Sequence, residues 1–190
     1  MTTFRQMQLH THRLLLRPLV ETDALELYGI FSDAQVMRYW SCEPWKSIDQ
    51  AHDTIAKDLK AHTANEYLRL GLVRLEDAKL IGTCSLFQIN EQCRRAEIGF
   101  ALASSVWHHG YAQEAIRRCL DFAFDDLKLN RLEADVDPRN LASAQCLERL
   151  GFIKEGHLRQ RWVVAGEVSD SALYGLLAVE RPHNDTQNSL

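Results

Sequence analysis

Three features that would assign a protein to a large class at once are missing from this sequence. No stretch approaches the about 18 apolar residues of a membrane-spanning helix, and residues 1–8 lack the apolar core of a signal peptide. Lys and Arg total 22 against 26 Asp and Glu, so the net charge of −4 offers no basic surface for nucleic acid. We therefore expect a cytoplasmic protein with neither a nucleic-acid nor a membrane partner.

Motifs that commonly mark a metal, a nucleotide or a nucleophile are also missing. The five cysteines are odd in number and show no Cys-x-x-Cys spacing, which favours reduced thiols. His108 and His109 are adjacent on a predicted turn, so their side chains should diverge, and we expect no metal. The nine glycines form neither Gly-x-Gly-x-x-Gly nor a Gly-Lys-Ser/Thr loop, and no Gly-x-Ser-x-Gly is present.

What is present is typical of one soluble globular domain. The chain has 190 residues, of which 46% are hydrophobic and 25% charged. We expect a single domain over residues 1–182 and a polar, disordered tail over residues 183–190. Hydrophobic periodicity predicts the order β-α-α-β-β-β-α-β-α-β-β, with the first strand over residues 10–19, and thus a mixed α/β sheet covered by helices.

The most informative stretch is a strand, a short loop and an amphipathic helix between residues 94 and 127. One face of the strand carries Ala96, Ile98, Phe100 and Leu102. The other carries Glu97, Gly99 and Ala101, and is nearly bare. Gly110 precedes the helix, whose first amides are free to bind an anion such as a diphosphate. The alternative is an ordinary strand-to-helix turn with a small residue for packing.

These segments resemble the GNAT acyltransferases, whose acetyl-CoA signature is a Gln/Arg-x-x-Gly-x-Gly/Ala loop. They are most similar to the ribosomal-protein N-terminal acetyltransferase (RimJ/RimL-like) branch, which reads Ala-Glu-Ile-Gly-(Tyr/Phe) and then Trp-x-x-Gly-(Tyr/Phe)-Ala-x-Glu-Ala. Here these motifs stand at residues 96–100 and 107–115. The branch's Asn-x-x-Ser and Gly-Phe pairs follow at residues 140–143 and 151–152, and its opening strand resembles residues 13–19.

The resemblance implies a GNAT fold, which is a mixed, mostly antiparallel sheet with a central splay, flanked by helices. It also implies acetyl-CoA as the cosubstrate. The cofactor-binding residues that it implies are Phe100, Ala101, Leu102, His108, His109, Gly110, Tyr111, Ala112, Gln113 and Asn140. The first three would pair with the pantetheine arm in the splay, and residues 108–113 would hold the diphosphate. Asn140 would contact the cofactor, although it could also serve only as a helix cap.

Acyl transfer from a thioester to an amine needs a base for the amine and a proton for the leaving thiolate. Glu97 is the predicted base, because it lies mid-strand on the bare face, two residues before Gly99. The alternative is a rim carboxylate paired with Arg94 or Arg95. A carboxylate of ordinary pKa about 4.3 is a weak base, which favours an α-amine of pKa about 7.7 to 8.0 over a lysine of about 10.4.

Two positions depart from the family pattern. Many GNAT enzymes use a tyrosine to protonate the thiolate, and Leu147 stands in its place. Ser143 lies one helical turn earlier, and in ribosomal-protein enzymes a serine there is proposed as the acid, so Ser143 is the second predicted catalytic residue. The alternative is a serine that merely begins a helix. Trp162 replaces the glutamate proposed as base in those enzymes, which leaves Glu97 or an ordered water.

The sequence therefore predicts an acetyl-CoA-dependent N-acetyltransferase whose acceptor is a protein N-terminal α-amine. Acetylation of a polyamine or another small amine is the alternative within enzymes. A GNAT fold that binds acyl-CoA without turnover is the alternative from another class. A homodimer and a monomer both stay open at this point.

Overall fold

One eight-stranded sheet organises the computed structural model, which describes Phe4 and residues 7–64 and 67–182. Its strands, β1 to β8, are Leu9–His10, Leu14–Pro18, Leu68–Arg74, Leu80–Asn90, Arg95–Leu102, Arg131–Val136, Ile153–Val164 and Glu167–Leu177. The α-helices of the same part of the chain, α1 to α4, are Ala24–Phe31, Asp49–Ala64, Tyr111–Asp121 and Leu141–Arg149. The tail over residues 183–190, which we expect to be disordered, lies outside the described residues.

The strands lie in the order β1-β2-β3-β4-β5-β6-β8-β7. Only the pair β5 and β6 is parallel among the strands of the described chain, and every other neighbouring pair is antiparallel. The predicted mixed, mostly antiparallel sheet is therefore confirmed. None of the helices over residues 7–64 and 67–182 is both long and apolar enough to cross a bilayer.

The prediction of one first strand over residues 10–19 is wrong, because a tight turn divides it into β1 and β2. The Thr11 amide donates to the Leu14 carbonyl at 2.9 Å, and the Leu14 amide donates back to the Thr11 hydroxyl at 2.9 Å. A side-chain hydroxyl that bonds nearby backbone in this way offers the chain an alternative to continuing the strand ladder. As described below, this turn contacts the start of α3.

The central splay lies between β5 and β6. Their parallel pairing runs through Arg95↔Arg131, Ala96↔Leu132 and Glu97↔Glu133 and ends there. Beyond this point β5 continues beside β4, while β6 continues beside β8. The second half of β5 thus has backbone groups along one edge without a strand partner on that side. This confirms the predicted splay and opens the sheet next to Glu97.

Two apolar cores lie on the two faces of the sheet. On one face Ala96 and Ile98 of β5 pack against Ile116 and other buried residues of α3. On the opposite face Ala101 of β5 belongs to a core with Ile55 and other buried residues of α1 and α2. The predicted alternation of β5 is therefore observed, and Glu97 and Gly99 lie on the face that α1 and α2 cover.

Candidate active site

A cavity of about 380 Å³ lies where β5 and β6 separate. Four of the predicted site residues line it together, namely Glu97 and Phe100 of β5 and Asn140 and Ser143 at the start of α4. Ala101 and Leu102, the other two predicted residues of β5, are buried and lie outside this lining. Their backbone nevertheless belongs to the half of β5 that has no β6 partner.

Glu97 stands at the last paired position of the splay, beside Glu133 of β6. Burial raises the pKa of Glu97 above its usual value, and the nearby carboxylates of Glu133 and Asp135 raise it further. The Arg95 guanidinium donates to Glu133 at 2.9 Å, and no hydrogen bond or ion pair joins the Glu97 carboxylate to another described residue. The site thus contains a half-buried carboxylate with an elevated pKa and no fixed partner.

The start of α3 has the geometry of an anion site. Gly110 is its N-terminal capping residue with φ of +79°, and no side chain of the described residues caps the helix. A Cβ added to Gly110 would meet only the Arg13 guanidinium, at 3.6 Å. Arg13 also donates to the His109 carbonyl at 2.9 Å. Uncapped amides at a helix start, together with the positive end of its dipole, favour an anion.

The turn between β1 and β2 fixes this helix start. The Glu114 carboxylate accepts from the Thr11 hydroxyl at 2.6 Å, from the Arg13 amide at 2.8 Å and from the Arg13 side chain at 2.7 Å. Burial alone would raise the pKa of Glu114, but these hydrogen bonds outweigh it and hold the pKa below its usual range. Sequence reasoning missed this anchor, because its partners lie about a hundred positions apart.

The predicted loop residues around Gly110 differ in what their side chains contact. Tyr111 is buried beneath the Arg13 guanidinium, whose central carbon lies 4.4 Å from the ring centroid. The His109 ring stacks against Tyr111, and its Nδ1 lies 2.7 Å from the Trp107 carbonyl oxygen. His108 has a positive φ of 65°. Ala112 and Gln113 are half-buried in the first turn of α3.

Asn140 and Ser143 come together at the start of α4. The Ser143 amide donates to the Asn140 side-chain oxygen at 3.2 Å, so Asn140 does cap the helix. Both residues also line the cavity. The cap uses the oxygen of the Asn140 amide, and the NH₂ group of the same side chain supplies two further donors. Capping and a ligand contact are therefore compatible at this residue.

The family follows from a direct comparison. Residues 13–153 match the family model of the acetyltransferase (GNAT) domain. The chain belongs to the GNAT acetyltransferase family. It is 36% identical to the uncharacterised N-acetyltransferase p20 of Bacillus licheniformis over 172 residues, which covers 90% of this chain and 97% of that protein. This chain is accordingly an acetyl-CoA-dependent N-acetyltransferase.

Solved GNAT structures are similar over nearly the whole chain. Spermidine N-acetyltransferase from Vibrio cholerae, in complex with CoA and spermine, has a TM-score of 0.80 at 27% identity and covers 90% of this chain and 98% of its own. Ribosomal-protein-S5-alanine acetyltransferase from Vibrio fischeri also has a TM-score of 0.80, at 22% identity, and covers 94% and 100%. The second similarity concerns the fold alone.

The two departures from the GNAT pattern lie in different surroundings. Leu147 of α4 is fully buried in the core. This position therefore contributes packing and supplies no proton donor. Trp162 of β7 lines the cavity, as do Tyr39 and Trp40 from the segment after α1. Trp45, which is close in sequence, instead stacks on Phe31 at 4.8 Å. The cavity of this GNAT enzyme therefore has an aromatic wall.

Sequence reasoning missed four charged residues of the cavity, which are Arg69, Asp135, Asp137 and Arg161. Asp135 accepts a short hydrogen bond from the buried Ser171 hydroxyl and lies 3.7 Å from the Arg161 guanidinium. Its place two residues after Glu133, on the polar face of β6, was a signal in the sequence. Arg69 gave no comparable signal, because its relation to the site depends on strand register.

The charges that line this cavity leave one carboxylate unmatched. They are the carboxylates of Glu97, Asp135 and Asp137 and the guanidinium groups of Arg69 and Arg161. Asp135 is paired with Arg161, and Asp137 with Arg139 at 2.6 Å, so the unmatched carboxylate is that of Glu97.

Within the described residues no group of three or more His, Cys, Asp or Glu side chains is placed to hold a metal ion.

Proposed function

We propose that this enzyme transfers the acetyl group of acetyl-CoA to the α-amine of a protein N-terminus. The observation that carries the proposal is the Glu97 carboxylate, which is half-buried, raised in pKa and without a fixed partner beside the splay. A single unmatched carboxylate suits an acceptor with one ammonium group. An N-terminal α-amine, of pKa about 7.7 to 8.0, is also the amine that a modest base deprotonates most readily.

The proposed cofactor site extends from the splay to α3. The loop over residues 108–113 would bind the diphosphate through the free amides at the start of α3. This is supported by Gly110, which is the N-terminal capping residue and has no side chain to occupy these amides. The backbone of Phe100, Ala101 and Leu102 would pair with the pantetheine arm, because this edge of β5 has no strand partner. The Asn140 NH₂ group would hold the arm from the side of α4.

The proposed reaction needs no nucleophile from the enzyme. Glu97 takes a proton from the acceptor ammonium, directly or through a water, and the free amine attacks the thioester carbon. The new C–N bond forms as the C–S bond breaks, and the sulfur leaves as a thiolate. Ser143, which lines the same cavity, donates a hydrogen bond to this sulfur, or gives it a proton that Ser143 regains from solvent. The second proton of the amine is lost to solvent.

Acetylation of a polyamine is the second candidate. It is favoured by the similarity to a spermidine N-acetyltransferase and by the three carboxylates of the cavity lining. A polyamine carries several ammonium groups, however, and two of those carboxylates are already paired with arginines. The pairing leaves Glu97 alone to meet a cation, which favours a monocationic acceptor.

The proposal is tested by measuring the release of free thiol from acetyl-CoA in the presence of each member of a panel of amines. The panel contains peptides beginning with Ala, Ser or Met, spermidine, free amino acids, and one N-terminally blocked peptide with an internal lysine. We expect kcat/KM to be at least tenfold higher for the free N-terminal peptides than for the other amines. A preference for spermidine would replace the protein acceptor with a polyamine, and thiol release with no amine would contradict both.

A further inference from the structure

A row of residues crosses the sheet from β3 to the proposed base. In the strand register, Arg69 of β3 stands opposite Ser85 of β4, and Ser85 stands opposite Gly99 of β5. All three line the cavity. Glu97 lies two residues before Gly99, on the same face of β5. Gly99 has no side chain, but an added Cβ there would lie 3.3 Å from the Phe87 ring, so Phe87 covers part of the row. Arg69, Phe87 and Glu97 nevertheless line the same cavity.

Two residues of α2 hold Arg69 in place on the side away from the cavity. Its guanidinium donates to the buried Asp58 carboxylate at 3.1 Å, and its backbone amide donates to the buried His62 Nε2 at 3.2 Å. The Tyr67 ring lies 5.3 Å from the guanidinium carbon, and the Tyr67 hydroxyl donates to Ser85 at 3.3 Å. These contacts order a long side chain in the absence of a ligand, which lowers the entropic cost of a contact made later.

The guanidinium still has donors to offer to the cavity. An arginine carries five N–H groups in a planar fork, and Asp58 accepts from one nitrogen. The side chain of Arg69 remains 20% exposed, while Asp58 is 8% exposed and lies outside the cavity lining. A planar guanidinium can donate two parallel hydrogen bonds to the two oxygens of a carboxylate, which a compact charge such as a lysine ammonium cannot do.

The distance between Arg69 and the base limits what an acceptor can present there. Neighbouring strands lie about 4.8 Å apart, and Glu97 lies two residues along β5 from Gly99, so the Cα atoms of Arg69 and Glu97 are separated by about 12 Å. An extended peptide advances about 3.3 to 3.6 Å per residue. If the α-amine is at Glu97, a side chain on the second or third residue of the acceptor reaches the guanidinium.

We propose that Arg69 is a specificity-determining residue that binds a carboxylate on the second or third residue of the acceptor. This inference rests on the proposed function and narrows its substrate class to N-termini that are acidic just after the first residue. Nothing in the chemistry of acetyl transfer requires this contact. Its loss should therefore change the choice of peptide while leaving the reaction itself intact.

The test compares matched peptides that differ by one carboxylate. Peptides beginning Ser-Glu and Ser-Ala-Glu are paired with Ser-Gln and Ser-Ala-Gln, and kcat/KM is measured for each. We expect the wild type to prefer the acidic member of at least one pair by about tenfold, which is the scale of one charge-assisted hydrogen bond. Arg69→Met should reduce the ratio to near one without lowering kcat/KM for the glutamine peptides more than about threefold.

Two further variants make the result specific. Arg69→Lys keeps the charge but not the fork, and should restore part of the preference. Arg159→Met removes the same charge from an exposed position of β7 outside the cavity lining, and should leave the ratio unchanged.

Equal kcat/KM within both wild-type pairs would overturn the inference alone, even if Arg69→Met did not fold. An equal drop in the ratio for Arg159→Met would also overturn it, because net charge would then explain the preference. Failure to acetylate any peptide, with acetyl-CoA binding intact, would overturn the proposed function and this inference with it.

Discussion

At the scale of single residues, the chemistry proposed here depends on the ionisation of Glu97. Its pKa is raised by burial and by two carboxylate neighbours, so the basic form is lost as the pH falls through a value above the usual range. The acceptor α-amine, in contrast, becomes deprotonated without help above its own pKa of about 8. A base is therefore most useful between these two values.

Glu97→Gln should accordingly lower kcat/KM more at low pH than at high pH. We expect a loss of about 100-fold near pH 6.5, in line with the usual effect of a general base, and a much smaller loss near pH 9. The measurement is a pH profile of kcat/KM with one N-terminal peptide. A loss of the same size at every pH, or no loss, would remove Glu97 from the role of base.

Glu133→Gln provides the matched comparison for this profile. Glu133 is the β6 partner of Glu97, and its carboxylate is one of the charges that raise the pKa of Glu97. Its removal should lower that pKa, so the acidic limb of the profile should move to lower pH while the enzyme stays active. An unchanged limb would mean that another group controls it.

At the scale of elements, Gly110 joins the strand β5 to the helix α3 in a conformation that other residues rarely adopt. Its φ is +79°, and a side chain there would strain the backbone whatever the surrounding space. In the structure the space itself is open, because only Arg13 lies within 4 Å of an added Cβ. Backbone strain and obstruction of a ligand can therefore be separated.

Gly110→Leu should raise the dissociation constant of acetyl-CoA by tenfold or more, measured by calorimetry. Gly166→Leu is the control, because Gly166 has nearly the same φ, +83°, and nothing within 4 Å of an added Cβ. It lies in the turn between β7 and β8, outside the α3 start. If both variants lose the same stability but only Gly110→Leu loses affinity, the loss comes from the binding site. Unchanged affinity in Gly110→Leu would contradict the diphosphate assignment.

Elements were easier to predict from the sequence than the contacts between them. The alternation of β5 and the apolar stripe of α3 are local patterns, and both elements begin close to where the periodicity predicts them. The helix, predicted to continue to residue 127, is an α-helix only to Asp121 and continues as a π-helix over Phe122–Asp126. The turn that divides β1 from β2 was missed, because Thr11 is bonded to its neighbour Leu14 and to Glu114 of α3. Local periodicity carries no information about such a distant partner.

The candidate site follows the same division. Glu97, Asn140 and Ser143 were predicted from motifs, and the structure brings them to one cavity although their roles remain proposals. Arg69 could not have been chosen in this way. Its position opposite Ser85 is a matter of strand register, and its partner Asp58 lies on a helix whose packing against β3 is a tertiary feature.

At the scale of the whole molecule, Asp58 connects the site to stability. It is a buried carboxyl between α2 and β3, faced by Arg69, His62 and Tyr67. Burial raises its pKa from 3.8 to about 6, although the Arg69 charge and hydrogen bond act in the opposite direction. The folded protein thus binds a proton at Asp58 more tightly than the unfolded chain does.

The sign of the resulting pH dependence follows from linkage. A carboxyl whose pKa is raised on folding contributes stability that is fully present below the unfolded pKa and is lost as the pH rises through the folded pKa. For Asp58 this window extends from about pH 4 to pH 6, where the shift of about two units corresponds to roughly 3 kcal/mol at most.

Asp58→Asn should therefore flatten the pH dependence of the free energy of unfolding. The asparagine oxygen can still accept from Arg69, but it binds no proton in this range. Urea unfolding between pH 4 and 7.5 should show the wild type losing stability relative to the variant as the pH rises. Asp77→Asn is the control of opposite sign, because the exposed Asp77 has its pKa lowered by Arg74. If the wild type and Asp58→Asn had parallel stability profiles, the pKa of Asp58 would be the same in the folded and unfolded states, and the ion pair with Arg69 would balance its burial.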